Sequence, residues 1–145
     1  MALPTKLTLE IVTPDRALLR EEVDEVVVPG SQGEFGVLPG HTPLLSTLKI
    51  GELWYRQGQE KHYLAIAFGF VEVLPDRVTV LAQIGERAQE IDVQRAERAK
   101  QRAEQRLAQA QPQLTQIDLD IERARVALMK SLLRLQVASR ARTRV

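Results

Sequence analysis

The sequence predicts an α+β chain, an N-terminal β-sandwich over residues 1–86 followed by a C-terminal antiparallel two-helix hairpin over residues 87–145. Three observations predict it. All 8 glycines lie at or before Gly85 and 6 of the 7 prolines at or before Pro75, so turn-forming residues fill the first part and nearly vanish from the second. Apolar residues alternate with polar ones in the first part and recur every three to four residues in the second. The charge reverses at the same place: 7 basic and 11 acidic residues up to residue 85, against 13 and 8 from residue 86 onward.

The strands follow from the alternation. Leu7, Leu9 and Ile11 interleave with Lys6, Thr8 and Glu10, and Val78 and Val80 with Arg77 and Thr79, so each run buries one face. The runs VDEVVVP, STLKIGELWYRQG, EKHYLAIAFGFVEVLP and DRVTVLAQ are rich in β-branched residues and are punctuated by turn pairs such as Pro14-Asp15 and Pro75-Asp76. Short strands in succession, with no helix between them, argue a sandwich or flattened barrel.

After Glu90 the period lengthens. Val93, Ala96, Ala99, Ala103, Leu107 and Ala110 form one stripe of a first helix, with Asp92 placed to cap it. A second helix follows Pro112, with Ile117, Ile121, Ala124, Leu128, Leu132 and Leu135 on one face. The segment QAQPQLTQ between them reads as the bend of the hairpin. A stripe built from alanine buries little apolar area, so the pair is expected to be weakly held. Val126, Met129 and Leu133 make a second apolar patch, and Arg123, Lys130 and Arg134 a cationic ridge about 40° wide. A helix apolar on two faces predicts two packing partners.

The composition excludes several classes. Without cysteine there is no disulfide or thiolate metal site, and His41 and His62 are too isolated to suggest a metal centre. The amino terminus MALPTKLTLEIV reads as neither a signal peptide nor a membrane span, which predicts a soluble chain. The glycines of GSQGEFGVLPGH lack phosphate-loop spacing and read as turns and bulges. The acidic run EEVDE reads as a solvated strand edge, and no nucleophile, paired acid and base, or zinc motif is present, so no catalytic residue is expected. The basic second part predicts an anionic partner. All 6 aromatic residues lie in the first part, so the helices offer a nucleic-acid strand nothing to stack on, and none is expected as a partner.

The chain resembles the epsilon subunit of bacterial and chloroplast F-type ATP synthases. The resemblance runs in order through EIVTPDRALL, GEFGVLPGHTPLLSTL, AFGFVEVLPDRVTVLAQ, GERAQEIDVQRAERAKQRAEQRL and ERARVALMKSLLRLQVA. It implies a non-catalytic central-stalk subunit of a proton-translocating synthase, requiring no cofactor. The sandwich would couple the c-ring to the gamma subunit, with Glu34 toward the ring and His41 toward gamma. The helical arm would inhibit ATP hydrolysis by extending to the catalytic beta subunits, where Arg123, Lys130 and Arg134 would meet an acidic surface. The chain would sit peripherally at the cytoplasmic face of a bacterial plasma membrane, or at a thylakoid membrane.

The same resemblance implies ATP as a regulatory ligand of the folded arm. The motif Ile/Leu-Asp-x-x-Arg-Ala stands here as Ile91, Asp92, Val93, Gln94, Arg95 and Ala96, with Glu86 before it, Arg102 farther along the first helix, and Lys130 and Arg134 on the second. Lys130 stands where the best nucleotide binders have an arginine, which keeps the charge and loses the bidentate fork. A free-standing ATP-sensing module and a nucleic-acid-binding helical hairpin are the alternative readings.

Overall fold

The computed structural model describes residues 2–109 and 115–142, with side chains for 2–109 and 119–141. Eight strands come first: β1 Leu7–Val12, β2 Ala17–Val23, β3 Glu25–Gly30, β4 Gly33–Val37, β5 Leu44–Leu48, β6 Gly51–Gln57, β7 Glu60–Leu74 and β8 Arg77–Arg87. A short 3-10 turn, Ala88–Glu90, precedes the helices α1 Val93–Gln109 and α2 Thr115–Arg142. Contacts divide the chain into two units, Met1–Ala88 and Gln89–Val145. The QAQPQLTQ bend, with Ala110 and Pro112, and the Ile117 side chain fall outside the described residues.

In the first unit the strands run in the order β2-β1-β8-β7-β5-β3-β4, with β6 bonded to both β3 and β7. Pairing therefore passes continuously from one layer of the sandwich to the other. The expected alternation builds the core. Leu9 lies beside Val78 and Ile11 beside Val80 in the parallel β1–β8 pair, and Val78 and Val80 face Val73 and Val71 across the β7–β8 hairpin. All six of these and their neighbours Leu7, Val26, Val28, Leu53, Leu64 and Ile66 are inaccessible to solvent or nearly so. Each such aliphatic side chain contributes roughly 1.5–3 kcal/mol.

The glycine-rich segment GSQGEFGVLPGH is more regular than a loop. Its residues 33–37 form β4, joined to β3 by a two-residue turn at Ser31-Gln32, with Gly33 at φ 134° supplying the positive dihedral. The acidic run EEVDE starts on the edge strand β2, with Glu22 exposed as expected, but its other carboxylates are engaged. It is split by a turn at Asp24, whose carboxylate accepts from Lys6 Nζ and from the Gly58 backbone N–H at 2.7 Å. Glu21 accepts from Gln57 at 2.9 Å, and Glu25 pairs with Arg56 at 3.3 Å. These carboxylates tie the β2–β3 corner to the β6–β7 hairpin.

In the second unit α1 and α2 pack together through small side chains. Ala96 and Ala103 are buried on α1, and Ala124, Ser131 and Ala138 on α2, in both helices at seven-residue spacing, with Val137 of α2 buried as well. Heptad spacing of small residues lets two backbones approach closely. The expected α2 stripe holds at Ala124, which is buried, and at Ile121, Leu128 and Leu135, which are half-buried, but not at Leu132, which is exposed while the serine takes the central position. Ser131 satisfies its hydroxyl by donating to Leu128 O at 2.9 Å, so its burial leaves no orphaned group.

Candidate functional site

Two surfaces carry side chains whose placement packing alone does not explain. The first is the outer face of the sandwich. On β7 and β8, Phe70 and Leu81 are register partners that point away from the core, each 53% exposed. The next strand adds Leu45, 71% exposed, one row away. Phe70 reaches this face because the chain kinks just before it. Phe68 has φ 60° and Gly69 φ 128°, and a Cβ on Gly69 would stand 1.9 Å from Leu81 O. The expectation of alternation contains this face, but only when the outward positions are read for apolar residues as closely as the inward ones.

The second surface lies in the helix pair. A groove of about 440 Å³ is lined by Ala99 of α1 and by Leu119, Glu122, Arg123, Val126, Ala127, Lys130 and Arg134 of α2. The expected cationic ridge of Arg123, Lys130 and Arg134 therefore borders a groove with an apolar floor. Arg123 also pairs with Asp120 at 4.0 Å, one turn away. At the start of α1, Asp92 Oδ1 accepts from the Arg95 N–H at 3.0 Å, and Asp92 O accepts from the Ala96 N–H at 3.0 Å. Asp92 is thus the N-cap of the helix. Ile91 and Ala96 are buried, whereas Arg95 and Arg102 are exposed.

The remaining candidates belong to the sandwich. Glu86 stands on β8 opposite Ala65, Glu34 is exposed on β4 opposite Pro29, and His41 directs Nδ1 to Thr42 O at 2.6 Å. The second histidine, His62, stacks on Tyr55 with ring centroids 4.8 Å apart. Among the described residues no cluster of His, Cys, Asp and Glu is arranged to hold a metal ion, and no helix is long and apolar enough to cross a membrane.

An apolar sheet face on one unit and a cation-walled groove on the other define a chain that works by docking to other molecules. Models of the ATP synthase delta/epsilon chain match both units, the beta-sandwich domain over residues 6–88 and the long alpha-helix domain over 89–139, and the chain belongs to this family as an epsilon chain, a non-catalytic subunit. It is 53% identical over 135 residues to the ATP synthase epsilon chain of Syntrophobacter fumaroxidans, covering 93% of this chain and 97% of that one. With the epsilon chain of Nitratidesulfovibrio vulgaris it shares 50% identity over the same lengths. The fold is also that of a chain in the Euglena gracilis mitochondrial ATP synthase assembly of OSCP, F1 and c-ring, with a TM-score of 0.75 at 24% identity over 91% of this chain and 82% of that one. A chain of the Tetrahymena thermophila central stalk and c-ring matches with a TM-score of 0.59 at 13% identity, over 98% and 100%.

Proposed function

We propose that the chain is a central-stalk subunit with two separable jobs. The sandwich transmits rotation between the c-ring and the gamma subunit, and the helix pair is an arm that inhibits ATP hydrolysis when it leaves its folded state and reaches the catalytic beta subunits. The complex holds it peripherally at the cytoplasmic face of the membrane. The observation that carries the reading is the nature of the α1–α2 contact. Its most buried side chains are alanines and a serine, with Leu128 and Leu135 half-buried beside them, while Leu119, Met129 and Leu132 stay exposed on α2. Such a helix keeps apolar surface in reserve for a second partner, and a contact of small side chains leaves its two states close in energy.

For the sandwich, the exposed row of Leu45, Phe70 and Leu81 suits an apolar partner surface, and gamma is assigned there together with His41. Glu34, on the exposed β4 edge, is assigned to the c-ring. For the arm, ATP is the ligand of the folded pair. Arg95, Arg102, Lys130 and Arg134 supply phosphate-binding charge, and Asp92 supplies an acceptor for the nucleoside. The deciding experiment uses the assembled complex with cysteines at Ala103 and Ala124. Oxidation that crosslinks the two helices should relieve inhibition of ATP hydrolysis, and reduction should restore it. Inhibition that persists in the crosslinked complex rejects the mobile arm.

A further inference from the structure

The groove of the helix pair is lined by three cations of α2, Arg123, Lys130 and Arg134, beside Glu122. Helix geometry identifies the α1 side chains that border it. At about 100° per residue, Arg95, Arg102 and Arg106 fall within about 40° of one another. They lie on the side of the Ala96–Ala103 stripe toward which Ala99, the groove residue, is displaced. Glu97, Lys100 and Glu104 fall on the other side. In an antiparallel pair of right-handed helices, that side of α1 and the Arg123, Lys130 and Arg134 side of α2 open onto one groove.

The axial order follows from the lining. Ala99 shares the groove with Val126, Ala127 and Lys130, which puts residue 99 level with about residue 128. The cations then run in the sequence Arg134, Arg95, Lys130, Arg102, Arg123 and Arg106 over about 20 Å at 1.5 Å per residue. Glu122 also lines the groove, and Asp120 lies against Arg123, so the far end is partly offset. A triphosphate engages one end of such a row. Arg106 and Arg123 lie beyond its reach. A charge in the last turn of α1 would favour the helix dipole from any exposed position, which does not by itself place Arg106 on the same side of the helix as Arg95 and Arg102.

We propose that this groove binds a linear phosphate chain longer than a triphosphate, namely inorganic polyphosphate. Every unit of such a chain carries charge, and guanidinium groups fork onto phosphate oxygens. A nucleic-acid backbone is less suited, because it gains affinity by stacking bases on aromatic side chains and no aromatic residue follows Phe70. Polyphosphate binding does not require ATP binding, since Arg106 and Arg123 lie outside the residues assigned to the nucleotide.

The test is titration of the full chain with inorganic tripolyphosphate and with long-chain polyphosphate at several salt concentrations. The long chain should bind at least about tenfold more tightly per molecule, with a steeper loss as salt rises. Arg106→Gln combined with Arg123→Gln should abolish that advantage while leaving tripolyphosphate binding unchanged. Lys100→Gln, on the opposite side of the helix, should leave both unchanged. Equal affinity for the two chains, or an advantage that survives the double substitution, overturns the proposal, as does equal binding of a single-stranded oligonucleotide of matched charge. Loss of ATP binding alone, with the chain-length effect intact, removes only the nucleotide reading.

Discussion

Asp92 has a structural role and is assigned a ligand role, and two substitutions separate them. Asparagine caps a helix as well as aspartate does but carries no charge, whereas alanine does neither. Asp92→Ala should therefore destabilise the start of α1 by about 0.5–2 kcal/mol, read as faster amide exchange in its first turn. Asp92→Asn should leave that exchange unchanged and weaken ATP binding; if ATP affinity is also unchanged, the carboxylate serves only as a cap. Asp24 gives a second residue-scale prediction. The bond from Lys6, then that from the Gly58 N–H, hold its carboxyl below the usual value of 3.8. A depressed carboxyl stabilises the fold above the unfolded pKa and loses that contribution as pH falls through the folded one. Acid unfolding below pH 3.8 should thus become less steep in Asp24→Asn, and an identical acid limb would show that the corner contributes nothing.

At the scale of elements, β7 and the helix pair show what the sequence makes legible. The inward residues Val78 and Val80 were evident from alternation, because a strand's faces are fixed by its period. The kink at Phe68-Gly69 was not, since a phenylalanine carries no local signal for positive φ. Its cost is testable: Gly69→Ala sets a Cβ against Leu81 O and should destabilise the sandwich by about 3 kcal/mol or more in denaturant unfolding. The alanines of α1 were equally readable, and the cap at Asp92 with them. On α2 the expected stripe held at Ala124 and, half-buried, at Ile121, Leu128 and Leu135, but Leu132 yields the contact to Ser131. Close approach, rather than apolar area, selected the face. Ala103→Leu should consequently force the helices apart at about 1–3 kcal/mol, raising amide exchange across the arm and leaving the strands unaffected.

At the scale of the whole molecule, the candidate residues distribute between two units that each hold their own core. The groove was only half legible. Arg123, Lys130 and Arg134 were grouped by helical spacing alone, whereas the wall that Ala99 provides needs the second helix in place. The outer sheet face was hidden because Phe70 and Leu81 sit among core residues in the sequence and only register shows them pointing outward together. Phe70→Glu with Leu81→Glu should leave the isolated chain folded, since both side chains are half exposed, and should prevent its incorporation into the synthase. Normal incorporation would remove that face from the interface.

The parallel pairing of β1 with β8 also sets the order of events at the ribosome. The first strand pairs with β2 directly after it but has its other neighbour some seventy residues later, so its second edge stays open until Arg77–Arg87 has left the exit tunnel. Such distant partnering slows folding, and the nascent chain must keep Leu7, Leu9 and Ile11 shielded meanwhile. Once β8 arrives, no later residue is needed to close the body, and a message cut short after Ala88 still encodes a finished sandwich.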